Sequence, residues 1–151
     1  MIRIVAIGKK HESWVQEGID RYQKRLRKPF DIEWVLLPHS SREGREARQE
    51  ESEAIQKRLS ADDYMVLLDE RGMLLDSPAL SRLLVQSFSE KARVTVVIGG
   101  AYGVTDELRE HADTVVSLSP MVFPHQLVRL IVTEQIYRAD QISRGGPYHH
   151  E

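Results

Sequence analysis

Along the chain, short runs of β-branched and aliphatic residues alternate with longer amphipathic stretches. IRIVAIG opens the sequence as an apolar run ended by Gly8, with the length and make-up of a buried strand. ESWVQEGIDRYQKRLRK then spaces Trp14, Ile19, Tyr22 and Leu26 along one side of a helix, which Pro29 ends. FDIEWVLLP alternates before turning fully apolar, as a strand entering a core does. SREGREARQEESEAIQKRLS is laced with charge, its only apolar residues being Ala47, Ala54, Ile55 and Leu59, and predicts an exposed or partly mobile helix. YMVLLDERG predicts a third strand ending in a turn, and Ser77-Pro78 opens a helix with proline in its first turn. VTVVIGG predicts a fourth strand, continuously apolar as a covered parallel strand should be; TDELREHA is a short helix and TVVSLS a fifth strand. HQLVRLIVTEQIYRADQIS is the last and longest helix, stopped by Gly145-Gly146-Pro147.

Five strands separated by helices predict an α/β fold, a mostly parallel sheet covered by helices on both faces. No linker, repeat or low-complexity segment divides residues 1–151, a length suited to one domain. In such sheets ligands bind beyond the carboxyl ends of the strands. That rule directs attention to DERG, GGAYG and SLSPMVFP.

Composition narrows the function classes. Cysteine is absent, which excludes disulfides and zinc–thiolate sites. No apolar run approaches a membrane span and the N-terminus lacks the order of a signal peptide, so the reading is a soluble, cytoplasmic protein with no membrane partner. The net charge of −2 argues against binding naked DNA or RNA by charge alone. The cations are unevenly spread, however: residues 1–28 hold eight Lys/Arg against three Asp/Glu. They are densest in RYQKRLRK, where Arg21, Arg25, Arg27 and Lys28 make a candidate phosphate-contacting segment, the alternative being a solvated helix face.

The loops carry the candidate chemistry. Gly99, Gly100 and Gly103 follow a buried strand, where glycine permits a sharp turn and a close ligand approach to the main chain. Their spacing and position do not fit the dinucleotide-binding fingerprint. In SLSPMVFP, Pro120 and Pro124 fix the path while Leu118, Met121 and Phe123 offer an apolar wall, so the two loops together suggest an adenine and ribose site. His125 opens the last helix, whose N-terminus disfavours an imidazolium and keeps the ring neutral. Glu134 and Arg138 stand at i and i+4. Leu127, Leu130, Ile131, Val132, Ile136, Tyr137 and Ile142 spread around more of this helix than one core requires, which predicts a subunit interface. Beyond the helix stop remain Tyr148, His149 and His150, which nothing in a monomer pattern demands.

IGGAYG, SLSPMVFPHQLVRLIVTEQIYRA and the closing PYHHE together resemble the bacterial large-subunit rRNA pseudouridine N3-methyltransferase family of the SPOUT superfamily. The resemblance spans essentially the whole chain, its most specific part being the FPHQLVR, EQIYRA and PYHH runs. Val122 departs from it, standing where the family pattern has threonine. The resemblance implies a C-terminal trefoil knot, a homodimer, and S-adenosylmethionine held by Leu68, Gly99, Gly100, Gly103 and the run Leu118, Ser119, Pro120, Met121, Val122, Phe123 and Pro124. It implies a pseudouridine of large-subunit rRNA on the assembled ribosome as acceptor, with no metal. Arg138, Tyr148 and His149 would orient the base, and its imide proton would leave to His125, His149 or solvent. It further suggests that each PYHHE tail reaches a cofactor pocket across the dimer. Two other readings compete: a non-catalytic ribosome-binding factor, and a metal hydrolase using His125, His149 and His150, which lacks the converging ligand set that zinc needs.

Overall fold

The computed structural model describes residues 1–150; Glu151, the last residue of the tail, lies outside them. Five strands, β1 (Ile2–Ile7), β2 (Ile32–Leu37), β3 (Asp63–Leu74), β4 (Arg93–Ile98) and β5 (Thr114–Ser117), form one sheet in the order β2-β1-β4-β3-β5. Every pairing is parallel. The helices are α1 (Ser13–Gln23), α2 (Gly44–Gln56), α3 (Ser77–Glu90), α4 (Asp106–His111) and α5 (His125–Ser143).

Alternate residues of the strands feed two cores, one on each face. Ile2, Ile4, Val94 and Val96 pack with Leu84 of α3 and with Val132, Ile136 and Ala139 of α5. Val5, Ile7, Leu67 and Val97 pack on the other face with Ile55 of α2 and Leu108 of α4. Burial on both sides is why these strands read as continuous apolar runs. Helix α1 lies beside α5, with Leu130 closing over Gly18 so tightly that a Cβ there would stand 2.7 Å from the leucine side chain.

Three expectations are corrected. Helix α1 ends at Gln23, five residues before Lys28, because the main chain at Lys24, Arg25 and Leu26 closes turns back onto Asp20, Tyr22 and Gln23. Its buried face carries Val15 and Ile19, leaving Trp14 half exposed with its indole N–H donated to Glu12. Helix α2 is no solvated rod: Ala47, Glu51, Ser52 and Ile55 are all buried. Strand β3 does not end at DERG: Asp69–Gly72 bulge out between Leu68 and Met73, both of which pair with Val116 of β5, and the strand continues to Leu74. Gly72 makes that possible, since a Cβ would meet the Val115 and Val116 backbone at 2.7 Å.

Candidate active site

Strands β4, β3 and β5 are neighbours, so the segments leaving their carboxyl ends converge. They enclose a cavity of about 930 Å³. Leu68 and Ile98 floor it, the Gly99–Gly103 turn and the Ser117–Phe123 segment wall it, and His125 and Val128 of α5 close it. The turn is tied by Gly103 N–H donating to Gly100 O at 3.0 Å, with Gly103 at φ +75°, a left-handed conformation that favours glycine. Gly100 is required for a different reason. A Cβ on it would run into the Glu51 carboxylate and stand 3.3 Å from Ile7 Cγ2. The opposite wall is held by Ser117 Oγ donating to Ser119 O (3.0 Å) and Met121 N–H donating to Ser119 Oγ (2.9 Å). Met121 and Val122 are 73% and 80% exposed, an open apolar rim. Pro120 and Pro124 shape the loop without lining the cavity; Pro124 is the cap of α5.

Polar groups also line the cavity. Arg48 of α2 reaches over it and donates through Nε to Tyr102 O at 2.9 Å. Asp69 of β3 is bridged to Arg109 of α4 at 3.0 Å, and Glu70 and Arg71 complete the polar lining. Glu51 and Arg48 come from a helix whose sequence gave no sign of a site. The one available clue was their i, i+3 spacing, which sets two charges on the same side as Ala47 and Ile55.

Burial holds the pKa of His125 below the ordinary imidazole value, Arg129 and His39 lower it further, and Glu51 opposes them. The ring is therefore neutral at pH 7. Arg129 is 1% exposed and straps the start of α5 to the end of β1, donating to Ile7 O (2.8 Å), Gly8 O (3.1 Å) and Lys10 O (3.0 Å). Burial pulls its pKa below the usual arginine value. Glu51 takes the Ser40 N–H on Oε2 at 2.9 Å, while its Oε1 is buried with no partner among the described residues.

The remaining candidate residues form a second group, at the far end of α5. Glu134 Oε1 accepts from Arg138 Nε and Nη2 (3.0 and 2.6 Å) and from the Tyr148 hydroxyl (3.1 Å). Arg138 also reaches His149 Nδ1 at 3.1 Å and lies 4.8 Å above the Tyr148 ring, which meets Tyr137 edge-on at 4.8 Å. Burial, followed by the bond to Glu134, pushes the Tyr148 pKa up to about 12, so the phenol keeps its proton. His149 lines a separate cavity of about 580 Å³ that shares Ser117 and Leu118 with the first. The tail thus rests on its own chain. His125 belongs to the first cavity, and Arg138, Tyr148 and His149 do not. Arg21, Arg25, Arg27 and Lys28 are all exposed and make no ion pair among the described residues. No group of three or more possible metal ligands converges among the described residues.

The family model described as "Predicted SPOUT methyltransferase" matches residues 1–149. The chain belongs to the SPOUT methyltransferase family. Proteins named "Ribosomal RNA large subunit methyltransferase H" are similar to it over nearly their full length. The one from Acetivibrio thermocellus is 42% identical, over 98% of either chain. The one from Bdellovibrio bacteriovorus is 44% identical, over 91% of either chain. That from Synechococcus sp. (strain CC9311) is 44% identical, over 97% of this chain and 94% of its own.

SPOUT methyltransferases imply a methyl donor of the S-adenosylmethionine type. The cavity suits one. A ligand with a flat apolar base, a ribose and a zwitterionic amino-acid end matches a space that is apolar toward Leu118, Phe123 and Val128 and charged toward Arg48 and Asp69. Among the described residues no helix is long and apolar enough to cross a membrane.

Proposed function

We propose that this chain is a single methyltransferase domain over residues 1–151 which methylates N3 of a pseudouridine in large-subunit rRNA, acting in the cytoplasm on the assembled ribosome as a homodimer with a C-terminal trefoil knot. The observation that carries the reading is the near-full-length similarity to the large-subunit rRNA methyltransferases, joined to a cavity of cofactor size at the carboxyl ends of β3, β4 and β5.

In this reading Leu68, Gly99, Gly100, Gly103 and the Leu118–Pro124 run hold S-adenosylmethionine. Bound there, it supplies an electrophilic methyl group on a sulfonium. The protein's own task is to align the acceptor nitrogen with that carbon, exclude water and let the imide proton depart. The Arg138, Tyr148 and His149 group orients the base. Neutral His125 stands ready to accept a proton, with solvent as the other route. Arg138 lies thirteen residues after His125, about 20 Å along a helix rising about 1.5 Å per residue. One chain therefore keeps its base-orienting group far from its cofactor-side histidine. A second subunit packed on the half-buried Leu127, Ile131 and Ile142, beside exposed Trp14, Met121 and Val122, supports a site completed by the partner's tail. The exposed Arg21, Arg25, Arg27 and Lys28, which make no ion pair among the described residues, take rRNA phosphates.

The test is transfer of a labelled methyl group from S-adenosylmethionine to intact ribosomes, separated subunits and free rRNA. Label entering large-subunit rRNA, most in intact ribosomes, is the expected result. Ribosome binding with no transfer would leave the non-catalytic docking factor as the better reading.

A further inference from the structure

Arg138 determines what His149 can offer a ligand. Arg138 Nη1 lies 3.1 Å from His149 Nδ1. A guanidinium has five donors and no acceptor, so Nδ1 must be the accepting nitrogen. A neutral imidazole that accepts at Nδ1 carries its hydrogen on Nε2. A protonated ring would instead set an N–H against an N–H and one positive charge against another.

Several contacts keep Arg138 where it is. Glu134 Oε1 takes two of its N–H groups and the Tyr148 hydroxyl, and Oε2 takes Gln135 Nε2 at 2.8 Å. Gln135 in turn accepts the Ser77 hydroxyl at 2.7 Å, which ties the group to the start of α3. Tyr148, the neighbour of His149 in the chain, is clamped by Tyr137 and Arg138. The imidazole lines the cavity of about 580 Å³ and is accessible to a ligand there. Besides His149, the titratable side chain lining this cavity is Asp76, which caps α3, while Tyr22 of α1 neighbours Arg138 and Tyr148.

We propose, resting on the methyl-transfer reading above, that His149 acts as a neutral Nε2–H hydrogen-bond donor to a carbonyl of the acceptor imide, not as its base, with Glu134 the positioning residue that fixes this role through Arg138. The chemistry of an imide asks for such a donor. Loss of the N3 proton spreads negative charge over N3 and the two flanking carbonyl oxygens, and a fixed donor at one oxygen stabilises that charge as it develops. The step balances. The proton passes from N3 to solvent, the freed electron pair forms the bond to the methyl carbon, and the carbon–sulfur pair stays on sulfur as a neutral thioether.

Three replacements separate a donor from a base. Gln places an amide donor near the Nε2 position, Glu an acceptor, and Ala nothing. His149→Gln should keep kcat within about tenfold of wild type, while His149→Ala and His149→Glu should each lose about a hundredfold, the scale of a removed oxyanion donor. Better activity in His149→Glu than in His149→Gln would overturn the donor role. Nitrogen-15 NMR of the dimer tests the positioning without any turnover. Wild type should show His149 as the Nε2–H tautomer, and Glu134→Gln should show mixed tautomers, with cofactor affinity unchanged. An Nδ1–H tautomer in wild type would overturn the proposal even if methyl transfer is found, and absent methyl transfer would overturn the catalytic reading even if the tautomer is as expected.

Discussion

A histidine in the first turn of a helix is commonplace; His125 differs in being half-buried beside Arg129, so its neutral form is favoured by burial before any charge acts. Its folded pKa is depressed below the ordinary value of about 6.5, which means that the unfolded chain binds more protons near that pH. The resulting stability is fully present above about pH 6.5 and is lost as pH falls through the lower folded value. Urea midpoints measured from pH 8 down to pH 5 should therefore decline, and His125→Asn should flatten the decline. His11 is shifted in the same direction by burial, so its neutralisation removes the remainder. A pH-independent midpoint would contradict the assignment. Residue-level chemistry was only half legible in the sequence. Glycine spacing announced the turn at Gly99–Gly103, yet the reason for Gly100 is Glu51, a carboxylate read as surface and found 4% exposed. A replacement at Gly100 therefore disturbs a buried carboxylate as well as the cavity. Ala101 is the cleaner probe, being exposed and part of the cavity wall. Ala101→Trp should leave the circular dichroism native and weaken S-adenosylmethionine binding at least tenfold by calorimetry, a loss of about 1.4 kcal/mol. Unchanged affinity would move the cofactor elsewhere.

Every strand and helix was legible as an element, because burial on both faces makes the strands continuous apolar runs. Element ends were less so. Strand β3 resumes after the Asp69–Gly72 bulge because Met73 and Leu74 pair with Val116 and Ser117 of β5, and a pairing between distant segments leaves no local signal. Gly72 carries that pairing. Gly72→Ala sets a Cβ against backbone that has no rotamer to yield, so a loss of about 1–3 kcal/mol is expected in chemical denaturation. A neutral effect would show that the β3 and β5 contact is looser than described. The basic segment after α1 makes the converse point. Arg25, Arg27 and Lys28 lie beyond the helix end, exposed and in no ion pair among the described residues, which frees them from helical geometry and suits contacts to phosphates. Neutralising the three together should weaken ribosome binding and flatten its salt dependence, with cofactor affinity intact. An unaltered salt slope would return them to a merely solvated surface.

At the scale of the whole molecule, the alternation of strand and helix led directly to a parallel α/β sheet, whereas the strand order β2-β1-β4-β3-β5 depends on contacts between segments far apart in the chain. The proposed knot is even further from pattern reasoning, since chain threading is nearly absent among folds. The surplus apolar face of α5 is legible, and it argues for a homodimer: sedimentation equilibrium should return about twice the 17.4 kDa chain mass. Mixed dimers go further. Pairing a chain deleted of residues 148–151 with an Ala101→Trp chain leaves one intact tail and one intact cavity on different subunits. Activity should persist if the tail serves the partner's cavity, and should vanish if it serves its own, the arrangement that the shared Ser117 and Leu118 would otherwise favour. The most direct measurement of the central claim is the identity of the product. Large-subunit rRNA from ribosomes incubated with the protein and S-adenosylmethionine, digested to oligonucleotides and sequenced by mass spectrometry, should contain one new N3-methylated pseudouridine that is missing when the protein is omitted and forms about a hundredfold more slowly with His149→Ala. Methylation of another atom or another base, or none at all, would contradict the account.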